Sequence, residues 1–163
     1  MKKLLMIAAG IVMAVNSFAA TIAYVDPQEL LEKYPETRKT QDYLEKKKKE
    51  MQGILDTERT KVEEKDQDIK KKGEKATKAE KEELEKMKSE FAKKFEAMQG
   101  NLEQLQYNMY EKIKSDINVA ISETAKAKKI DIVMDKTVIY YGAEDITKDV
   151  LNFLSGVQKI DLK

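Results

Sequence analysis

The side chains of this chain best fitted to a molecular task are soft and apolar rather than reactive. Met87, Phe91, Phe95, Met98, Tyr107, Met109 and Tyr110 crowd into one stretch. Thioethers are flexible and polarizable, and aromatic rings offer broad faces, so such residues suit weak, numerous contacts with many partner sequences. Reactive chemistry lacks its usual parts. The chain has no His and no Cys, which removes His-based zinc sites, His general bases and thiol nucleophiles. No Gly-rich phosphate loop is present to cradle a nucleotide. No carboxylate pair stands out from the charged background. The reading is of a non-enzyme without cofactor or metal.

Spacing divides the soft residues. Phe91, Phe95, Met98, Leu102, Leu105 and Met109 recur at steps of 4, 3, 4, 3 and 4, the pattern of a coiled-coil face whose members pack as buried knobs. Tyr107 and Tyr110 fall beside that face. The candidate contact set is therefore Met87, Phe91, Tyr107 and Tyr110, with burial in the seam the competing reading for Phe91.

A partner seam precedes it. Leu44, Met51, Leu55, Val62 and Ile69 are spaced by 7, 4, 7 and 7. The middle of the chain, roughly Glu36 to Lys129, reads as helix with one break near Gly73. Folded at residue 75, Leu44 meets Leu105, Met51 meets Met98, Leu55 meets Phe95 and Val62 meets Met87. An antiparallel hairpin explains that correspondence, and each limb of nearly 40 residues would be about 55 Å long. A single rod in a parallel oligomer is the alternative. Ile113, Ile117 and Ile121 drift round the helix, as expected where the coiled coil meets a different packing partner. Gly53 and Gly100 sit inside the two limbs at nearly one height. They are candidate hinges, with chance or a tight packing point as the bland reading.

The ends are strand-like. Thr21 to Asp26 alternates around Ile22, Tyr24 and Val25, and Asp131 to Asp135 and Val138 to Tyr141 carry Ile132, Met134, Val138 and Tyr140. Lys136–Thr137 is short enough to join the late pair as a hairpin. Asp26 caps a short helix with Pro27 in its first turn and Glu29 at capping-box spacing, Pro35 ends it, and a longer helix resumes near Thr37. A last helix capped by Asp145 or Thr147 is expected to close at Gly156. The fold class is α+β, mostly α: a small β body with a long antiparallel helical hairpin arm. So small a body, with open sheet edges and no disulfide, is marginal alone, and association into a barrel-like sheet with several arms pointing one way is expected.

Met1 to Lys3 is a basic start, Leu4 to Val15 is apolar, and Ser17-Phe18-Ala19 supplies a cleavage site, the pattern of a secretory signal peptide. The expected divisions are a signal peptide at 1–19, a body from 20–36 and 122–156, an arm at 37–121 with its tip near 73–77, and a tail at 157–163. Removing Lys2 and Lys3 from the 31 basic residues leaves 29 against 30 acidic ones, a formal charge of −1. Such balance gives no pull toward nucleic acid. Lys46–Lys49 and Lys70–Lys72 could touch acidic partners or anionic headgroups, but interspersed acids make a solvated helix face the plainer reading.

The terminal motifs resemble a known family. Ile22-Ala-Tyr-Val-Asp-Pro-Gln28 with Leu30 and Pro35-Glu36, and Ala125 to Asp135 followed by Val138-Ile-Tyr140, Asp145-Ile-Thr147 and Val150-Leu151, are similar to the ends of the Skp/OmpH periplasmic chaperones. The resemblance implies a homotrimer whose shared β body carries three hairpin arms. It implies that unfolded outer-membrane β-barrel proteins are held between those arms in the periplasm without ATP, with weak contact to anionic membrane or lipopolysaccharide. This near-neutral chain departs from the strongly basic members. A structural coiled coil of the envelope is the alternative function, and it predicts regular heptads without the terminal strand motifs.

Overall fold

The computed structural model describes residues 20–160, with side chains to residue 156. The expected signal segment lies outside the described residues. The chain runs β1 (Ile22–Val25), α1 (Pro27–Lys33), α2 (Pro35–Lys72), α3 (Lys78–Lys128), β2 (Ile132–Asp135), β3 (Glu144–Asp145) and α4 (Thr147–Ile160), with short 3-10 turns at Gly73–Lys75 and Lys136–Val138. It is a long helical hairpin on a small sheet-and-helix body.

The body forms because one face of each of its elements is apolar. Ala23 and Val25 of β1 point inward, and with Leu30, Tyr34, Ile113, Ile117, Ala120, Ile130, Ile146, Val150 and Leu154 they make one buried cluster. Ile113, Ile117 and Ala120 come from the root of α3, so the drift of the apolar stripe there does mark the change of packing partner. Asp26 caps α1 by accepting the Glu29 N–H at 3.1 Å, while the Glu29 carboxylate pairs with Lys33 one turn on. Tyr34 is extended (φ −70, ψ 116), as the residue before a proline tends to be. Pro35 therefore ends α1 and opens α2 in one step, two residues before the expected restart.

The sheet corrects the expected hairpin. Its order is β2-β1-β3, and both pairings are parallel, with Ile22 opposite Ile132, Tyr24 opposite Met134 and Tyr24 opposite Asp145. Val138–Tyr141 is not a strand. After β2, the Asp135 carboxylate accepts the Thr137 N–H at 2.8 Å and its hydroxyl at 2.7 Å, turning the chain into a 3-10 segment that leaves the sheet. The third strand is the two-residue Glu144–Asp145, reached after Gly142 takes φ +88. The last helix is also longer than expected. Gly156 keeps ordinary helical backbone, since only Gly73 and Gly142 among the described glycines have positive φ, and α4 continues to Ile160. The Asp145 carboxylate accepts the Thr147 N–H at 2.9 Å at its start.

The hairpin turn falls where the seams require it. Gly73 ends α2 with φ 55 and ψ −123, a backbone state that disfavours any side chain. Thr77 opens α3 with a reciprocal capping box to Glu80. At the root, α3 ends in the left-handed residue Lys129, and the Ile130 N–H reaches back to the Ala125 carbonyl at 2.9 Å, a Schellman-type close with Ile130 as its apolar anchor.

Candidate functional site

Two surfaces stand out. The first is the outer face of the sheet. Side chains alternate across a strand, so burying Ala23 and Val25 turns Ile22 and Tyr24 outward beside Ile132 and Met134. Ile22 is 40% exposed, Ile132 46% and Met134 37%. Val138 is exposed nearby, and Tyr140 and Tyr141 are fully so. Of the seven residues expected in the oligomerisation body, Ile22, Tyr24, Ile132 and Met134 share that outer face, while Val138 and Tyr140 belong to the exposed segment that leaves the sheet. Val25 does neither, being buried in the chain's own core at 4%.

The second surface is the arm. Its two limbs are tied by ion pairs toward the tip. Lys72 holds Glu80 and Asp68, both at 2.8 Å, Lys65 meets Glu83 at 2.6 Å, Lys94 meets Glu58 at 3.1 Å, and Lys88 lies 3.7 Å from Asp66. The Glu80 carboxyl is pushed down to about 2 by the Lys72 ammonium first, then by the Thr77 N–H and hydroxyl. The lysine runs are largely engaged: Lys47 pairs with Glu50, Lys49 with Glu45 and Lys70 with Asp66, as a solvated face would be.

Between the limbs lie shallow grooves. Met51, Ile54, Met98, Leu102 and Leu105 line one of about 220 Å³, rimmed by Lys47, Glu50 and Asn101. Nearer the tip, Val62, Met87 and Phe91 line another with Glu58, Glu90 and Lys94. Two expected pairs, Met51 with Met98 and Val62 with Met87, therefore do share a groove. Met87 and Phe91 are half-buried together. Tyr107 is 62% exposed and Tyr110 39%. Phe95 is a correction: it is 43% exposed rather than a buried knob. A four-residue step turns a helix by about 40° beyond a full turn, which carries Phe95 past the seam to a surface shared with Arg59, Phe91 and Ala92. Ile54, 44% exposed, was not among the candidates. The signal for it was present, because Ile54 beside Leu55 widens the apolar stripe of α2 at that height.

Gly53 and Gly100 lie in α2 and α3 at the height of the Met51–Met98 groove but are not among its lining residues. A Cβ at either would meet nothing within 4 Å, so close packing does not demand glycine there. The Thr57 hydroxyl donates to the Gly53 carbonyl at 2.8 Å, a contact that tends to bend a helix. Among the described residues no cluster of His, Cys, Asp or Glu is placed to hold a metal, and no helix is long and apolar enough to cross a membrane.

An uncovered sheet face on a small body and a grooved helical arm define a protein that acts through surface and shape. The chain belongs to the OmpH-like family: the model of the family described as "Outer membrane protein (OmpH-like)" matches residues 21–154. Members of this family are chaperones, not enzymes. The crystal structure of a protein from Caulobacter crescentus CB15 described as "a putative outer membrane chaperone (OmpH-like)" has the same fold, with a TM-score of 0.64 and 15% identity over 85% of this chain and 86% of that one. No curated protein matches the sequence.

Proposed function

We propose that this chain is an ATP-independent periplasmic holdase that assembles through its sheet and encloses unfolded outer-membrane β-barrel proteins between its arms. The observation that carries this reading is the uncovered face of Ile22, Ile132 and Met134, with Tyr140 and Tyr141 also fully exposed. A single chain leaves that apolar surface wet. A cyclic oligomer, with three subunits as the family suggests, covers it and points the arms into a common space. The grooves along the arm supply shallow apolar contacts of the kind an unfolded, alternating strand can use. The lysine runs, mostly paired with acids of the same helix, favour short-range contacts over long-range attraction of acidic clients or lipopolysaccharide.

The test is native mass measurement of the protein, alone and with a urea-unfolded β-barrel protein. An oligomer that takes up one client and keeps it soluble without nucleotide is expected. A monomer that leaves the client to aggregate overturns the proposal.

A further inference from the structure

The two halves of the arm differ along one flank. Toward the tip, Glu58–Lys94, Lys65–Glu83 and Lys72–Glu80 bridge the limbs. Nearer the body, at the height of the Met51–Met98 groove, no ion pair crosses between limbs among the described residues. The composition changes there too. In a chain that is 37% charged, residues 97–110 of α3 carry a single charge, Glu103, among Gln99, Asn101, Gln104, Gln106 and Asn108. Asn101 lines the groove. Gln104 and Asn108 follow at helical spacing on the same side and hydrogen-bond each other at 2.9 Å. The rim charges on α2, Lys47 and Glu50, pair with each other at 2.8 Å. The groove is therefore apolar at its floor, carries the Asn101 amide on one rim, and its two lining charges neutralise each other.

We propose, resting on the holdase reading, that this groove is the arm's client-docking site and takes one extended, uncharged segment with alternating apolar side chains. Size supports this occupant. The groove runs from Lys47 to Ile54 and from Met98 to Leu105, about 10 Å of helix. Side chains i and i+2 of an extended chain point the same way about 7 Å apart, so two fit, with the residue between them facing solvent. Charge supports it as well. A charged segment would bring an unpaired ion onto apolar walls, whereas neutral amides can donate to and accept from a strand's backbone in either direction. Such alternation of apolar and polar residues is what membrane β-barrel strands carry.

A photo-crosslinking side chain placed at Asn101, or at the exposed tip-proximal Glu82 as control, tests the site in the full-length protein. The probes are a fluorescent peptide of alternating apolar and uncharged polar residues, a second with the same composition in blocks, and phospholipid vesicles. Asn101 should capture the alternating peptide about tenfold more than Glu82 does, and Ile54→Gln should weaken binding about tenfold, the loss of one apolar anchor. Equal capture at both positions, equal binding of both peptides, preference for vesicles, or crosslinking of one copy to another without client would each overturn the site. If client aggregation is still suppressed in that case, the holdase reading stands. If suppression fails as well, both fall.

Discussion

Asp26 ties several elements of the body together. Its carboxylate caps α1 through the Glu29 N–H and accepts Lys136 at 3.1 Å, and its own N–H donates to the Thr147 hydroxyl at 2.9 Å. It thus joins the end of β1 to the start of α1, the turn after β2 and the start of α4. The Glu29 N–H first, then Lys136, holds its carboxyl below the usual aspartate value. A depressed carboxylate contributes stability that is fully present above its unfolded pKa and is lost as pH falls through the folded one. The body's contribution from Asp26 should therefore be constant at neutral pH and fade below about pH 4. Asp26→Asn keeps a good cap but drops the charge facing Lys136, whereas Asp26→Ala drops both. Thermal midpoints should fall in the order parent, Asp26→Asn, Asp26→Ala at pH 7. The gap between parent and Asp26→Asn should narrow as pH falls below about 4. A gap unchanged by acid would show that the charge contributes nothing.

At the scale of elements, the arm was legible and the sheet only in part: β1 and β2 fall on two of the expected segments and pair, but the late hairpin does not form. Heptad spacing in Leu44 to Ile69 and Phe91 to Met109 constrains two long helices at many points, and Gly73 marks where they must turn. The sheet rests on strands of four and two residues. Val138–Tyr141 has the apolar content of a strand, but two hydrogen bonds donated by Thr137 to the Asp135 carboxylate divert it. Glu144–Asp145 has no apolar pattern at all, yet it pairs with β1. The candidate site was legible in part. Met51, Met98, Leu102 and Leu105 were seam residues by spacing, but that they border an open groove depends on Ile54 and on the loss of charge across residues 97–110. The two glycines are testable at this scale. Each interior helical glycine costs about 1 kcal/mol relative to Ala, and both positions have room for a Cβ. Gly53→Ala with Gly100→Ala should stabilise the arm by about 2 kcal/mol in urea unfolding followed by circular dichroism. It should also narrow the range of client sizes held. A double variant that is more stable yet holds small and large clients equally well would end the hinge idea.

At the scale of the whole molecule, the chain has an unequal distribution of burial. One buried cluster serves the body, a second, smaller one of Ile69, Ala76 and Leu84 serves the tip, and the sheet's outer face serves neither. Burying an aliphatic side chain is worth roughly 1.5–3 kcal/mol, so covering Ile22, Ile132 and Met134 on three subunits would supply a large part of an oligomer's stability. The same face offers a way to separate assembly from folding. Met134 contributes little to its own chain's core, so Met134→Asp should leave the helical hairpin intact by circular dichroism. Repeated around a closed sheet, that carboxylate would bring like charges together in an apolar interior, which is costly. The expected result is a native mass falling to that of one chain, with loss of protection against client aggregation and helicity preserved. A variant that remains an oligomer would place the subunit interface elsewhere. A dissociated variant that still keeps the client soluble would show that one arm suffices and that the enclosed space between arms is not required.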